Sequence, residues 1–275
     1  MLRPSFGALL VALVFCSNAF GQTTPQFSLV DLGPTTVAGS GLHWQAIQST
    51  PNTSIPSEAS TQGAACYGTT TNEIYAEYGD EIIGSTCLTT QNSNAAMWTF
   101  GPGQPPALTD LGVLPGAVGT VGTGGPSSTA IAFNNEGDIV GVSDTRYKLA
   151  GAADQQAQHA FLYNNGVMTD LGAIAGQTYN SAASSVDDSH EIVGSTNTVS
   201  SVNGSVLSRA FLYTNGTMYN LTFFLVGGPT ALLTNALWID CQGNIAAVGT
   251  PASGSTTQHS YLLIRQGAAR TSCPD

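Results

Sequence analysis

Charge is what this 275-residue chain has least of. Asp, Glu, Lys and Arg together make up 8% of it, against about 25% in an ordinary soluble domain. Cations are the scarcer sign: six Lys and Arg stand against seventeen Asp and Glu, for a net charge of −11. So acidic a surface repels phosphate backbones and anionic lipid, which argues against nucleic acid and membrane surfaces as partners. Neutral glycans, cations and proteins stay open. Long runs of Glu, Lys, Leu and Gln are missing too, which disfavours helices. No C-x-x-C pair occurs, so a zinc ribbon is excluded. There is no G-x-S-x-G nucleophile elbow. The Gly-rich "GTVGTGG" lacks the Lys of a phosphate-binding loop, and "HEIVG" lacks the second His of a zincin helix. No cofactor motif and no metal motif is left.

Long apolar runs are absent after the first twenty residues. The one that exists, "FGALLVALVFC" from Phe6 to Cys16, follows the positive charge of Arg3 and precedes the small-residue stretch "SNAFGQ". It is shorter than the ~20 residues that span a bilayer. The pattern is that of a signal peptide over residues 1–21, leaving a mature chain of residues 22–275 with no membrane span. Loss of Arg3 takes the net charge to −12. Secretion, or retention in the cell envelope, follows as the expected location. Four cysteines remain after cleavage: Cys66, Cys87, Cys241 and Cys273. An even number in an oxidising compartment predicts two disulfides. Three pairings are possible, and the short separations favour Cys66–Cys87 and Cys241–Cys273.

What the chain has in quantity is repetition. "HAFLYNNGVMTDLG" (His159–Gly172) returns fifty positions later as "RAFLYTNGTMYNLT" (Arg209–Thr222). A looser copy is "AAMWTFGPGQPPALTDLG" (Ala95–Gly112). A second phrase alternates with the first: "YGDEIIGS" (Tyr78–Ser85), "IAFNNEGDIVGVS" (Ile131–Ser143), "VDDSHEIVGS" (Val186–Ser195) and "DCQGNIAAVGT" (Asp240–Thr250). Both phrases read as hairpins. Asn165-Gly166 and Asn215-Gly216 suit a type I′ turn, which needs positive φ at both residues. Asn134-Asn135-Glu136-Gly137 forms the turn of the second phrase. Two hairpins give four strands per unit of ~50 residues, the size of a β-propeller blade.

The ends of the chain fit the same scheme. "FSLVDLG" (Phe27–Gly33) is the second half of the first phrase, and "HSYLLIRQG" (His259–Gly267) is its first half. Joined, they complete one phrase, as a ring that fastens its own ends would require. The reading is an all-β fold, a β-propeller of four blades with the N- and C-terminal strands closing one blade. The units run over about 27–85 with 259–267, 95–143, 159–195 and 209–250. Two connections are long: one over His43–Asn72, and the Gly-rich Gly116–Ser128.

"HAFLYNNGVMTDLG" and "HEIVGST" resemble the HAF family of extracellular repeat proteins, named for its His-Ala-Phe triplet. The triplet is intact once, at His159-Ala160-Phe161, and is altered at Ala95-Ala96-Met97, Arg209-Ala210-Phe211 and His259-Ser260-Tyr261. The resemblance spans most of the mature chain and implies an exported β-repeat protein. It brings no catalytic residue with it.

Each chemical candidate has a structural counter-reading. His159 and His259 open two units where Arg209 and Ala95 open the others, so a ring of imidazole ligands is disfavoured against strand-end residues. Asp31, Asp110 and Asp170 recur, with Asn220 as the fourth. They could ring a Ca²⁺, but polar residues that cap nearby backbone N–H groups explain the recurrence better. Glu77, Asp80 and Glu81 form one acidic cluster and Asp187-Asp188 another. Paired carboxylates can hydrolyse glycosidic bonds, yet both clusters fall at turns, where solvated acids are ordinary. His190 falls in such a turn beside Glu191. Trp44, Tyr67, Tyr75 and Tyr78 lie in or near the first insertion and could anchor a sugar or a protein. Phe161 and Phe211 recur with the repeat and belong to the core. The sequence therefore favours a non-catalytic binding module for a protein or a neutral glycan, with its specificity on the unit-specific loops. An extracellular carbohydrate-active hydrolase or lyase and a structural cell-surface protein are the rivals.

Overall fold

The computed structural model describes residues 25–34, 73–78, 80–89, 92–102, 104–119, 124–199, 203–254 and 256–267. The expected leader, the insertion His43–Asn72 with Trp44 and Tyr67, and Cys66 and Cys273 lie outside them. Among the described residues, sixteen strands form four antiparallel sheets of four. Sheet I holds β2 (Glu73–Tyr78), β3 (Glu81–Thr89), β4 (Asn92–Thr99) and β5 (Ala107–Gly112). Sheet II holds β6 (Ser128–Phe133), β7 (Ile139–Leu149), β8 (Ala152–Asn164) and β9 (Val167–Asp170). Sheet III holds β10 (Ser181–Val186), β11 (Ile192–Val199), β12 (Val206–Thr214) and β13 (Thr217–Asn220). Sheet IV runs β14 (Ala231–Ile239), β15 (Ile245–Pro251), β16 (His259–Arg265) and β1 (Phe27–Pro34). A 3-10 turn at Leu221–Phe224 leads from sheet III to sheet IV. No helix among the described residues is long and apolar enough to cross a membrane.

The first and last described strands meet as their half-phrases require. β1 pairs with β16 from Phe27 opposite Arg265 to Asp31 opposite Tyr261, with Pro34 opposite His259. The repeat frame, however, differs from the one read along the sequence. Each sheet takes a second phrase and then a first phrase, so a unit such as 95–143 straddles sheets I and II. "IVGVS" turns straight back onto "HAFLY" through the long β7–β8 hairpin, with Gly141 opposite Phe161. The step from "DLG" to the next second phrase instead leaves one sheet for the next. The half-phrase at the N-terminus thus completes sheet IV, and "YGDEIIGS" belongs to sheet I.

Local chemistry explains the hairpins. Asn165 and Gly166 have φ of 50° and 80°, and Asn215 and Gly216 have 52° and 77°. Both residues of each pair are left-handed, as a type I′ turn needs. The Gly of the second phrase has another purpose. β6 bulges between Ala130 and Ala132, and β10 between Ala183 and Ser185, opposite Gly141 and Gly194. A Cβ on Gly141 would overlap the Thr129 carbonyl oxygen and lie 3.0 Å from the Phe161 ring. On Gly194 it would overlap the Ala182 carbonyl oxygen and lie 2.9 Å from the Phe211 ring. The recurring phenyl ring lies over the space that the missing side chain leaves.

Cores form between sheets. β6 lies against β3 and β4, β10 against β7 and β8, and β14 against β11 and β12. Ile83, Ala95 and Leu111 of sheet I pack with Ala130, Ile139 and Phe161 of sheet II. Val140 and Ala160 of sheet II pack with Ala183, Ile192 and Phe211 of sheet III. Val193, Leu212 and Leu221 pack with Phe27, Leu233, Tyr261 and Leu263 of sheet IV. One face breaks the series. Leu111, Leu171 and Leu221 of the first phrase are at most 8% exposed, whereas their counterpart Leu32 is 63% exposed.

Candidate functional site

The strand registers align the recurring polar residues. Asp110, Asp170, Asn220 and Asp31 sit opposite Ala96, Phe161, Phe211 and Tyr261. Two residues before those partners stand Asn94, His159, Arg209 and His259. The counterpart of His159 in sheet I is therefore Asn94 and not Ala95. Asn94 Nδ2 donates to Asp110 Oδ1 at 3.0 Å. His159 Nδ1 lies 2.7 Å from Asp170 Oδ1, and His259 Nδ1 lies 2.8 Å from Asp31. Amide and imidazole are interchangeable here because each brings an N–H to the same carboxylate.

Those carboxylates are committed. Asp31, Asp110 and Asp170 accept the backbone N–H of Gly33, Gly112 and Gly172 at 2.7–2.8 Å, and Asn220 accepts that of Thr222 at 3.1 Å. The capping role expected of them is what they perform. Burial pushes the Asp170 carboxyl up, but the His159 and Gly172 hydrogen bonds and the nearby positive charge of Arg146 outweigh it, and the net shift is downward. His159 is fully buried; its Nε2 faces the Gln177 carbonyl at 3.1 Å and its ring stacks on Tyr147. It is a strut between strand and turn. Among the described residues no three His, Cys, Asp or Glu side chains group to hold a metal.

Serines with no distinguishing motif around them tie the sheets together at this same end. Ser181 of β10 accepts from Ala160 N at 2.9 Å and donates to the Gly172 carbonyl. Ser128 of β6 accepts from Ala95 N at 2.7 Å and donates to the Gly112 carbonyl. Ser143 and Thr196 accept from Leu114 N and Ile174 N at 3.0 and 3.1 Å. The Gly116–Ser128 connection is thus partly built into the fold. Ser128 is a tie, Ala117 packs on the core between sheets I and II, and Ser127 N donates to Asp144 at 3.0 Å.

The opposite end carries the acidic turns. Asn134, Asp187 and Asp240 each accept a backbone N–H from four residues on, closing the turn between the first two strands of their sheet. Asp188 accepts from Asn135 N and Nδ2 of the neighbouring sheet at 3.1 Å. His190, at φ 60°, hydrogen-bonds the fully buried Asp138 across the sheet boundary. That bond raises the His190 pKa; partial burial opposes it, and the charges of Asp138, Glu136 and Asp187 add to it. Arg265 holds Glu191 through two contacts of 2.6 and 3.1 Å, joining sheet IV to sheet III. Asp187 and Asp188 therefore serve turns and sheet contacts. Asp80 is exposed and Glu81 half-buried, while Glu77, Tyr75 and Tyr78 are described in their backbone alone. Cys241 is disulfide-bonded. The side chains of Cys66, Cys87 and Cys273, on which the expected pairings Cys66–Cys87 and Cys241–Cys273 depend, lie outside the description.

A cleft of about 110 Å³ opens at the end that bears the serine ties, where β10 meets β8, β11 and β12. Val142, Gln158, Asn180, Ser181, Ser195, Asn197 and Ser208 are in its wall, with no charged side chain. The β1→β2 and β5→β6 connections, which carry the two insertions, leave from this end also. Its amides are anchored through their oxygens. Asn197 Oδ1 accepts from Asn180 N at 3.0 Å, and Asn180 Oδ1 accepts from Gln158 N at 2.9 Å. Neither a family model nor a curated protein matches the chain.

Proposed function

We propose that this is an exported, non-catalytic β-repeat protein of the HAF kind, an extracellular binding module on a four-bladed propeller. One observation carries the binding reading. The recurring His, Asp and Ser side chains are spent on turns and sheet ties, while the end bearing both unit-specific connections keeps an open polar cleft. Repeated residues serve packing; loops and surfaces that differ between units carry specificity. A hydrolase would need two carboxylates facing a common space. The described carboxylates near the cleft, Asp144 and Asp170, accept hydrogen bonds from Ser127 and Gln158, and from His159 and Gly172.

The propeller reading draws on the pairing of β1 with β16 and on the serial packing of sheets I to IV. The exposure of Leu32 favours a second reading, an open arc of four sheets. Leu32→Ala separates the two. In a closed ring Leu32 is buried against sheet I, and its loss costs about 2–5 kcal/mol, as for the same change at Leu171. In an open arc it stays within about 0.5 kcal/mol of the parent. For binding, the secreted protein is screened on immobilised glycans and proteins, then compared with a variant lacking residues 43–72 and 119–125. Full retention of affinity by that variant moves the site away from the insertions.

A further inference from the structure

We infer that the cleft between sheets II and III is a subsite for a neutral polyhydroxylated group, one ring of an uncharged glycan. The inference rests on the binding-module reading and names the ligand class and the atoms. Its basis is a contrast between two equivalent places in the fold. Asp144 in sheet II and Asn197 in sheet III hold the same register: Asp144 N donates to Ser127 O, and Asn197 N to Asn180 O, both at 2.8 Å. Each side chain also accepts the backbone N–H of that same partner. At Asp144 the second oxygen is filled by Gln158 Nε2 at 2.9 Å. At Asn197 the residue in Gln158's place is Ser208, whose hydroxyl turns away to the Thr234 carbonyl. The space that Gln158 fills at one junction is empty at the other.

The chemistry facing that space is specific. With one lone pair of each oxygen bound to a backbone N–H, Asn180 and Asn197 keep their Nδ2 groups as the unengaged donors they can offer a ligand. Neither Nδ2 group donates to a described residue. Gln158 is the mirror case: Nε2 is engaged by Asp144, so Oε1 is left as an acceptor. The Ser195 hydroxyl, able to donate and accept, completes the set. Two donors, one acceptor and one hydroxyl without charge match vicinal hydroxyl groups, each of which donates once and accepts. A carboxylate or phosphate would find no cation in this wall. The volume of about 110 Å³ is well below the roughly 300 Å³ of the smallest typical ligand pockets, so no more than one ring of a longer chain can seat in it.

The test titrates the full mature chain with cellotetraose, xylotetraose and mannotetraose by calorimetry, with tetragalacturonate and a random peptide library as the other arms. Asn180→Asp and Asn197→Asp keep the oxygen that holds the backbone N–H and remove the donor; Asp144 shows that the fold accepts a carboxylate at the place of Asn197. Each is expected to melt with the parent and to bind a neutral tetrasaccharide at least tenfold more weakly, and Ser195→Ala to weaken binding by a smaller factor. Neutral sugar binding that both Asp variants leave unchanged overturns the cleft and spares the binding module. Preference for tetragalacturonate, or peptide binding lost in the same variants, overturns the ligand class. Binding in none of the arms overturns the proposal together with the reading beneath it.

Discussion

Cutting the chain after Gln258 removes β16 and leaves β1 and β15 without their shared neighbour. The cost follows from what β16 buries. Leu263 is fully buried and Tyr261 nearly so, and both share a core with Phe27. Losing the burial of three such side chains forfeits about 4.5–9 kcal/mol, taken at 1.5–3 each. That is comparable to the whole stability of a typical domain, about 5–15 kcal/mol. The cut also takes the Arg265 guanidinium from Glu191, whose side chain is only 7% exposed. The truncated protein is expected to lose its cooperative melting transition. Because it could simply aggregate, point variants give the sharper measure. Leu263→Ala is expected to cost about 2–5 kcal/mol and Phe27→Ala about 3–5 kcal/mol. At roughly 2–4 °C per kcal/mol, Leu263→Ala lowers the melting temperature by about 4–20 °C. In a double-mutant cycle read by chemical denaturation, the pair is expected to couple by about 0.5–3 kcal/mol, although 236 positions separate them along the chain. A coupling near zero, or a truncated chain that melts with the parent, refutes the pairing of the two ends in solution.

Three further outcomes are expected. Ser181→Ala and Ser128→Ala each strand a buried backbone N–H and a carbonyl between sheets, and each should lower stability by about 1–3 kcal/mol in denaturant titrations; changes below 0.3 kcal/mol would rule out the ties. His190 has a pKa raised by Asp138, so the stability it adds is fully present below about pH 6.5 and is lost as pH rises through its folded value. His190→Asn, which tolerates the left-handed backbone, should therefore trail the parent in melting temperature at pH 5.5 and match it at pH 9; an equal gap at both would refute the linkage. Non-reducing peptide mapping is expected to recover Cys66–Cys87 and Cys241–Cys273, and a peptide linking Cys66 to Cys241 or to Cys273 would overturn that pairing.

How much of this could be read from the residues depends on what a period reveals. Asn165-Gly166 and Asn215-Gly216 announce their hairpins because the turn demands their backbone freedom. Phe161 and Phe211 announce the core because they recur with it. The two half-phrases, "FSLVDLG" and "HSYLLIRQG", announce their own pairing. The phase of the repeat is different. An alternating pattern looks the same when shifted by half a period, and only the β7–β8 hairpin shows that "IVGVS" and "HAFLY" share a sheet. Asn94 is not legible as a counterpart because Asn does not look like His; what recurs between units is an N–H facing the carboxylate, here that of Asp110. Ser128 and Ser181 are hidden because serine is common in this chain, and nothing in the string marks a hydroxyl that bridges two backbones. The cleft is hidden for the opposite reason, since it arises where a residue of the pattern is too short to reach.

The register of β1 on β16 also sets a direction for the molecule. Phe27 lies opposite Arg265, and Gln266 N donates to Gln26 O, so the chain enters β1 and leaves β16 side by side, at the end of the sheets that carries the Asn-Gly turns. The cleft and the strand ends that lead into both insertions belong to the opposite pole. A load applied at Phe27 and at Arg265 would therefore hold the protein by one pole and leave the other facing outward. Phe27 and Arg265 are also next to one another, so a force drawing them apart would act across the β1–β16 ladder one hydrogen bond at a time. Such a ladder opens like a zipper under tension, and the pair of strands that completes sheet IV is also the place where the protein would first come undone when pulled.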